Sequence, residues 1–178
     1  MVAAARELLA EGVTPTVEQA AARAGVSRAT AYRYFVNQRL LVAAVLPEIN
    51  TASLLPADPP EDPVERAALA ASEIMRMTLD NETELRAMLR VSLEHHEEEQ
   101  DLPLRKGRRI GWFEDALSPL RPVLGPQRHR RLVLANAAAV GIEPFIWLTD
   151  VAGVSRRDAA ELLVATARSL TRDAVIQR

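Results

Sequence analysis

Residues 16–35 of this chain read TVEQAAARAGVSRATAYRYF, a pattern typical of two short helices joined by a tight turn. Thr16 can accept a hydrogen bond from the first turn of a helix, and Gln19, three residues later, can bond back as a capping box. Gly25 ends this helix, because glycine tolerates the left-handed backbone that a tight turn needs. Ser27 then caps a second short helix. Together these signals predict a helix-turn-helix.

The side chains of the two helices fit a steep crossing at close range. The first helix supplies small contact residues, which are Ala20, Ala21 and Ala24. The apolar anchors of the second helix are Val26, Ala31 and Phe35. Its outward residues are Arg28, Thr30, Tyr32 and Arg33. A generic helical hairpin is the alternative, but it does not require a cationic and aromatic outer face, whereas a helix that enters a DNA groove does.

The run from residue 24 to residue 35, AGVSRATAYRYF, resembles the DNA-binding signature of the tetracycline-repressor (TetR) family. The resemblance covers roughly residues 2–46. It implies an all-α fold with an N-terminal three-helix DNA-binding domain and a C-terminal helical domain that binds an effector and forms a dimer. The chain departs from the family pattern at Gln38, which stands where the family has a lysine that reaches a phosphate. Arg39, the next residue, is the candidate replacement for that charge.

The resemblance also implies which residues contact double-stranded DNA. Those nearest the base edges are Arg28, Ala29 and Arg33. Those nearer the phosphates, or supporting the helix, are Thr30, Tyr32 and Tyr34, next to the cap Ser27. Thr16 and Val17 would offer backbone N–H groups to a phosphate, and Gln38 can donate a hydrogen bond without charge. An arginine can bind guanine O6 and N7 with two parallel donors, and Ala29 can touch a thymine methyl group.

The formal charge of the 178-residue chain is −2, but the charge is unevenly distributed. Residues 1–39 hold five arginines and three glutamates, residues 40–104 hold four arginines and fourteen acidic residues, and residues 105–178 hold thirteen basic and seven acidic residues. A locally positive segment on an acidic protein suits binding of a polyanion by one face. The arginines between residues 23 and 39 also fit an ordinary solvated helix, so charge alone leaves both interpretations open.

Composition predicts an all-α protein, since Ala, Leu, Arg and Glu dominate and favour helices. The chain has no cysteine, which excludes disulfides, thiolate zinc sites and cysteine nucleophiles. Its N-terminal residues carry charges that a secretory signal would not have. The uncharged stretch at residues 132–142 is too short to span a bilayer. We therefore expect a cytoplasmic protein with no membrane partner and no cofactor.

We divide the chain into a DNA-binding domain, residues 1–46, and an effector-binding and dimerisation domain, residues 47–178. Helices are predicted after the helix-turn-helix over about residues 40–53, with a break or kink near Pro47, and over 63–79, 81–100, 104–117, 126–148 and 156–176, with a proline-rich segment at 55–63. The resemblance assigns the last two long helices to a homodimer interface. The residues expected there are Ala135, Ala138, Ala139, Leu162, Leu163, Ala167 and Leu170. A monomer could also bury these helices in its own core.

The resemblance further implies a small-molecule effector inside the C-terminal domain. The bulky or polar candidates are Met75, Met88, His96, Trp112, Phe113, Phe145 and Trp147. These side chains favour a hydrophobic or aromatic effector, although each is also a candidate for plain core packing. We expect the long apolar helix to be interrupted at Gly141 and Pro144, and Pro144 to leave the Val140 carbonyl without a helical partner.

The alternative from another class is a metal-binding or hydrolytic helical enzyme that uses His95, His96 and Glu99. His95 and Glu99 are four residues apart and could share one helix face with a divalent ion. The sequence supplies no second cluster of histidines and acids, no Gly-rich phosphate loop and no nucleophile elbow. We therefore predict no catalytic residue and no metal site.

Overall fold

The computed structural model describes residues 1–46, 51–93 and 107–177, and every regular element in these ranges is a helix. The helices are α1 (Val2–Ala10), α2 (Val17–Arg23), α3 (Arg28–Tyr34), α4 (Gln38–Val45), α5 (Pro63–Asp80), α6 (Glu82–Leu93), α7 (Arg108–Ala116), α8 (Arg121–Ala139), α9 (Ile142–Ile146) and α10 (Arg156–Ile176). A short 3-10 turn, Ser118–Leu120, precedes α8, and a π-helical turn, Trp147–Val151, follows α9. The all-α prediction is confirmed.

Two predicted helices run into parts of the chain that the structure does not describe. The helix predicted over residues 40–53 is present as α4 but ends at Val45, because the backbone of Leu46 is extended and residues 51–53 are not helical; residues 47–50 lie outside the described ranges. The helix predicted to reach residue 100 is present as α6, and residues 94–106 lie outside them as well.

Helix packing divides the chain into two compact units. Among the described residues, the N-terminal unit holds 1–46 and 81–93, and the C-terminal unit holds 51–80 and 107–177. This division differs from the expected boundary at residue 46, because α6 belongs to the N-terminal unit. The buried residues Ala87, Met88 and Val91 of α6 pack into the same core as α1 and α4.

The core of the N-terminal unit is built from small and branched side chains. Ala20 and Ala31 are fully buried where α2 meets α3, and Ala21 is nearly so. The branched core residues of α4 are Leu41, Val42 and Val45. The alanines agree with the predicted close crossing, because a larger side chain at this contact would force the two helices apart.

In the C-terminal unit, α5 and α10 pack along each other, and α7 and α8 contribute to the same core. The largest fully buried apolar side chains of this unit are Met75, Phe113, Leu117, Leu120, Val133, Val140 and Phe145. The start of α5 at Pro63 was predicted, since proline is well suited to a first helical turn. Arg168 of α10 forms an ion pair with Glu65 of α5.

The predicted long apolar helix is interrupted at Gly141, as expected, but Pro144 makes no second break. Gly141 has φ +120° and ψ −163°, a conformation that in practice only glycine adopts. Pro144 lies in the first turn of α9, where a missing N–H is tolerated. The Val140 carbonyl does have a partner, because it accepts a hydrogen bond from Nη1 of Arg109. Arg109 of α7 therefore stabilises the junction between α8 and α9.

Replacing Gly141 with alanine is expected to destabilise the protein by about 1–3 kcal/mol, because alanine is strained at this φ and ψ. A Cβ at this position would also meet the Arg109 guanidinium and displace it from the Val140 carbonyl. Chemical denaturation measures the loss. Gly111→Ala is the matched control, since Gly111 lies on α7 with open space around it and should tolerate a Cβ. Equal free energies of unfolding for the two variants would contradict the role of Gly141.

Candidate nucleic-acid interface

Hydrogen bonds at the starts of α2 and α3 orient the two helices. Thr16 Oγ1 accepts a bond from Gln19 N at 3.2 Å, and the Gln19 side chain accepts one from Thr16 N at 2.9 Å, so the predicted capping box is present. Gly25 has φ +65°, the left-handed turn that the sequence predicts. Ser27 Oγ then accepts from Thr30 N at 3.3 Å and caps α3. These bonds set the direction in which α3 leaves the turn.

The basic side chains of α3 point away from the core. The side chain of Arg28 is 76% exposed, and Ala29 and Arg33 are exposed as well, whereas Ala31 is fully buried. The three residues expected nearest the base edges therefore lie on the solvent side of this helix. We call Arg28, Ala29 and Arg33 the outer face of α3.

Glu18 of α2 contacts two residues of α3, which the sequence did not indicate. Its Oε1 accepts a hydrogen bond from the Tyr32 hydroxyl and lies 3.1 Å from Nη2 of Arg28. The guanidinium carbon of Arg28 lies 5.7 Å from the centroid of the Tyr32 ring, within cation–π range. We call Glu18, Arg28 and Tyr32 the Glu18 cluster. In this arrangement Tyr32 supports α3, which is one of the two roles that the resemblance implied.

The Glu18 cluster shifts two ionisations in opposite directions. The hydrogen bond from Tyr32 holds the pKa of Glu18 below its ordinary value, and the charge of Arg28 adds to this effect. The same hydrogen bond, to a carboxylate, raises the pKa of Tyr32 above its ordinary value of 10.0. Both shifts favour the pair in which Glu18 is charged and Tyr32 is neutral, and they widen the pH range over which this pair persists.

The other arginines near the turn differ in their partners. Arg23 of α2 donates to both carboxylate oxygens of Glu11, at 2.8 and 2.9 Å. Arg33 forms no ion pair with any residue that the structure describes, and its guanidinium carbon lies 5.4 Å from the centroid of the Tyr34 ring. Tyr34 is itself 66% exposed. Arg33 and Tyr34 are therefore available for contact with another molecule.

Gln38 is engaged within the protein, in contrast to the phosphate contact expected at this position. Its Nε2 donates to the Pro15 carbonyl at 3.0 Å and lies 3.5 Å from the Thr14 carbonyl. The amide thereby connects the start of α4 to the loop before α2. The neighbouring Arg39, expected to supply the missing charge, is partly buried.

The start of α2 can offer backbone groups to a phosphate. Thr16 is exposed, whereas the side chain of Val17 is 2% exposed and belongs to the core. This end of α2 can therefore present the backbone N–H groups of its first turn to a phosphate, but not the side chain of Val17.

Three of the effector candidates pack in the core of the C-terminal unit. Phe113 and Phe145 are fully buried, and Trp112 is nearly so. The Trp112 indole donates its Nε1 proton to the Thr51 carbonyl at 3.1 Å, so its polar atom is satisfied inside the protein. For these residues the core-packing interpretation accounts for the observed contacts.

The other four effector candidates lie in separate settings. Trp147 is 58% exposed in the π-helical turn, Met88 belongs to the N-terminal unit, and His96 lies outside the described residues. Met75 is the one candidate that lines a groove of about 430 Å³ between α5 and α10. The groove is lined by Ser72, Met75, Arg76, Leu79, Ala160, Glu161, Val164, Ala165 and Arg168. The contacts of Met88 agree with core packing, the alternative that the sequence left open for it.

The predicted dimer residues fall into two groups. The exposed or partly exposed ones are Ala135, Ala138 and Ala139 of α8 and Leu162 and Leu170 of α10. Leu163 and Ala167, four residues apart on one face of α10, are buried inside the C-terminal unit. A partner subunit cannot contact these two side chains in this conformation, which corrects their assignment to the interface.

The residues of the alternative enzyme site, His95, His96 and Glu99, lie outside the described residues. Residues 1–46, 51–93 and 107–177 contain no group of three or more His, Cys, Asp or Glu side chains that could hold a metal ion.

No single helix in the described part of the chain is long and apolar enough to cross a membrane. The bent pair formed by residues 118–139 and 142–151, with a bend of 41°, has sufficient length and apolar composition when the two are taken together.

A capped helix-turn-helix with a basic outer face, in an all-α chain, defines a DNA-binding transcriptional regulator. Residues 1–45 match the family model described as bacterial regulatory proteins, tetR family. Residues 1–45 thus form a DNA-binding domain of the tetR family, which confirms the resemblance seen in the sequence. The match covers the helix-turn-helix end and leaves the C-terminal unit unmatched. No curated protein and no solved structure matches the chain.

The phenol of Tyr32 is expected to ionise at a higher pH than an ordinary tyrosine. The chain has two tyrosines, so Tyr34→Phe leaves Tyr32 as the one phenol in an absorbance titration. Adding Glu18→Gln should lower the midpoint toward 10.0, because the charged acceptor is lost.

The sign of the linked stability change follows from the direction of this shift. A raised pKa of Tyr32 stabilises the fold below the unfolded-state value, and this stabilisation is lost as the pH rises through the folded-state value. A titration midpoint that does not respond to Glu18→Gln would contradict the Glu18 cluster.

Proposed function

We propose that the protein is a cytoplasmic repressor that binds a near-palindromic operator as a homodimer and is released by a small, mainly hydrophobic effector. The observation that carries this proposal is the outer face of α3. Arg28 and Arg33 are exposed on a capped helix whose opposite side is buried. A helix of this kind can lie in the major groove while the preceding helix supports it against the DNA backbone.

On DNA, the outer face of α3 would read base edges. Arg33 can present two parallel donors to guanine O6 and N7, a contact worth about 1–3 kcal/mol of discrimination against other bases. Ala29 can contact a thymine methyl group. Tyr34 and the first turn of α2 would contact phosphates, which sets the register on the duplex without reading sequence.

Two copies are needed because α3 has seven residues and reads few base pairs. A two-fold axis brings the same surface of each subunit together. The exposed face of α8 is suited to this role, since Ala135 and Ala138 are small and Leu134 is 41% exposed beside them. On α10, Leu162 is 48% exposed and adds apolar area. These residues support a close helix contact between subunits.

The groove between α5 and α10 is the place that we propose for the effector. Its apolar lining includes Met75, Leu79 and Val164. Its charged lining residues already have ionic partners: Arg76 pairs with Glu73 and Asp80, Glu161 pairs with Arg157, and Arg168 pairs with Glu65. This balance favours a hydrophobic ligand over a charged one.

Effector binding would change the spacing of the two α3 helices in the dimer, so that they no longer fit successive major grooves. Effector and DNA would then oppose each other by the same factor in both directions, because the coupling free energy between two sites is reciprocal.

Arg33→Ala is expected to weaken binding to a specific site by about 1–3 kcal/mol, because a base contact is lost. The wild-type protein selects the site from a randomised pool of duplexes of about 30 bp, long enough for two half-sites. Gel retardation at fixed salt then compares the variants. Arg157→Ala is the matched control, since it removes the same charge from an exposed position on α10 and should leave sequence preference unchanged.

Circular dichroism and sedimentation should show that Arg33→Ala keeps the wild-type fold and association state, because Arg33 is exposed and lies outside the core. Background binding of the wild-type protein to every duplex, including its own upstream DNA, would contradict the proposed function.

Ala138→Arg is expected to convert the dimer to monomers, because a bulky charge would enter a close helix contact. Analytical ultracentrifugation measures the change, with Ala57→Arg, at an exposed site in the proline-rich segment, as the matched control. Leu163→Ala should instead lower the free energy of unfolding by about 2–5 kcal/mol, since this side chain is buried within the unit. A dimer that persists with Ala138→Arg would argue against α8 as the interface.

A further inference from the structure

We propose that Glu18 is a positioning residue for sequence recognition: its carboxylate orients Arg28 toward a base and offsets the charge that Arg28 would otherwise offer to any phosphate. The inference rests on the proposed function, because it concerns how α3 reads DNA. Glu18 lies on α2, the helix that supports α3, and not on the outer face. It therefore acts through Arg28 and makes no base contact of its own.

Two contacts restrain the Arg28 side chain. Nη2 lies 3.1 Å from Glu18 Oε1, and the guanidinium carbon lies 5.7 Å from the centroid of the Tyr32 ring. The Tyr32 hydroxyl donates to the same carboxylate oxygen, so the two restraining groups are themselves connected across α2 and α3. The position of Arg28 thus depends on an acceptor that another helix supplies.

The restrained guanidinium keeps its capacity to read a base. An arginine has five N–H donors in a planar fork, and one bond to Glu18 leaves enough for two parallel bonds to guanine O6 and N7. The Arg28 side chain remains 76% exposed, so these donors are accessible to a partner. Holding the fork in place reduces the rotamer freedom that Arg28 would otherwise lose on binding.

Charge separates the roles of the two arginines on the outer face. Arg33 has no ionic partner among the described residues, so it attracts phosphates of any sequence as well as reading bases. Arg28 carries Glu18 beside it, and the carboxylate repels the phosphates that the guanidinium attracts. The pair therefore adds base discrimination while adding little to non-specific affinity.

Glu18→Gln tests this inference, because glutamine can still accept the Tyr32 hydrogen bond but carries no charge. Affinities of the whole chain are measured for the duplex that the wild type selects and for the unselected pool of duplexes of about 30 bp. We expect the ratio of the two affinities to fall about five- to tenfold. The slope of log affinity against log salt on the unselected pool should steepen by about 0.9, the value of one added phosphate contact.

An Arg28→Ala background provides the coupling test. Both effects of Glu18→Gln should vanish there, since Glu18 acts through Arg28. Glu11→Gln is the matched control: it removes the same charge from a carboxylate that pairs with Arg23, away from the outer face, and should leave the affinity ratio unchanged.

Glu18→Asp is a second variant that keeps the test valid if Glu18→Gln does not fold. Aspartate keeps the charge but is one methylene shorter, so its carboxylate cannot reach Arg28 in the same geometry. The affinity ratio should fall while the salt slope stays at the wild-type value. Thermal unfolding confirms that each variant is folded.

The outcomes separate this inference from the proposed function. A folded Glu18→Gln variant with the wild-type affinity ratio would overturn the inference, while selection of a duplex by the wild type would still support the proposed function. A steeper salt slope with an unchanged ratio would also overturn the inference, since Glu18 would then alter charge alone. A wild-type protein that enriches no sequence would overturn both.

Discussion

The close contact between α2 and α3 is the constraint on which the rest of the structure depends. Ala20 and Ala31 have no exposed surface there, and Gly25 supplies the positive φ that turns the chain between the helices. Because α3 has only about two turns, burying one side leaves the other side to solvent. A larger side chain at the contact would move α3, and with it Arg28 and Arg33. The small residues at this contact are therefore required both for the packing of the core and for the position of the arginines of α3.

In the structure, fewer arginines of the helix-turn-helix carry an unpaired positive charge than a count of arginines indicates. Arg23 is bound by Glu11 and Arg28 by Glu18, while Arg33 has no ionic partner among the residues described. The strong attraction to phosphates that four nearby arginines would produce is thus reduced to a local one. Base contacts therefore contribute a larger share of the affinity for DNA on such a surface than on a uniformly basic one.

In the C-terminal unit, the residues that fill the core differ from those that line its outer surfaces. The bulky residues Phe113 and Phe145 fill its core, and Arg109 binds the carbonyl left at the end of α8. The small residues Ala135 and Ala138 lie on the exposed side of α8, and the apolar lining of the groove beside α10 includes Met75, Leu79 and Val164. These two surfaces are the ones that we propose for a second subunit and a small ligand.

Local sequence signals were sufficient for the caps, the turn and most of the helices, because each depends on residues within four positions of one another; the helix predicted over residues 40–53 ends early, at Val45. The capping box of Thr16 and Gln19 and the turn at Gly25 were predicted and are present. Contacts between distant residues were not predictable: Glu18 with Arg28, Gln38 with Pro15, and α6 with the N-terminal core. Those contacts depend on how helices pack in three dimensions, which no spacing along the chain encodes.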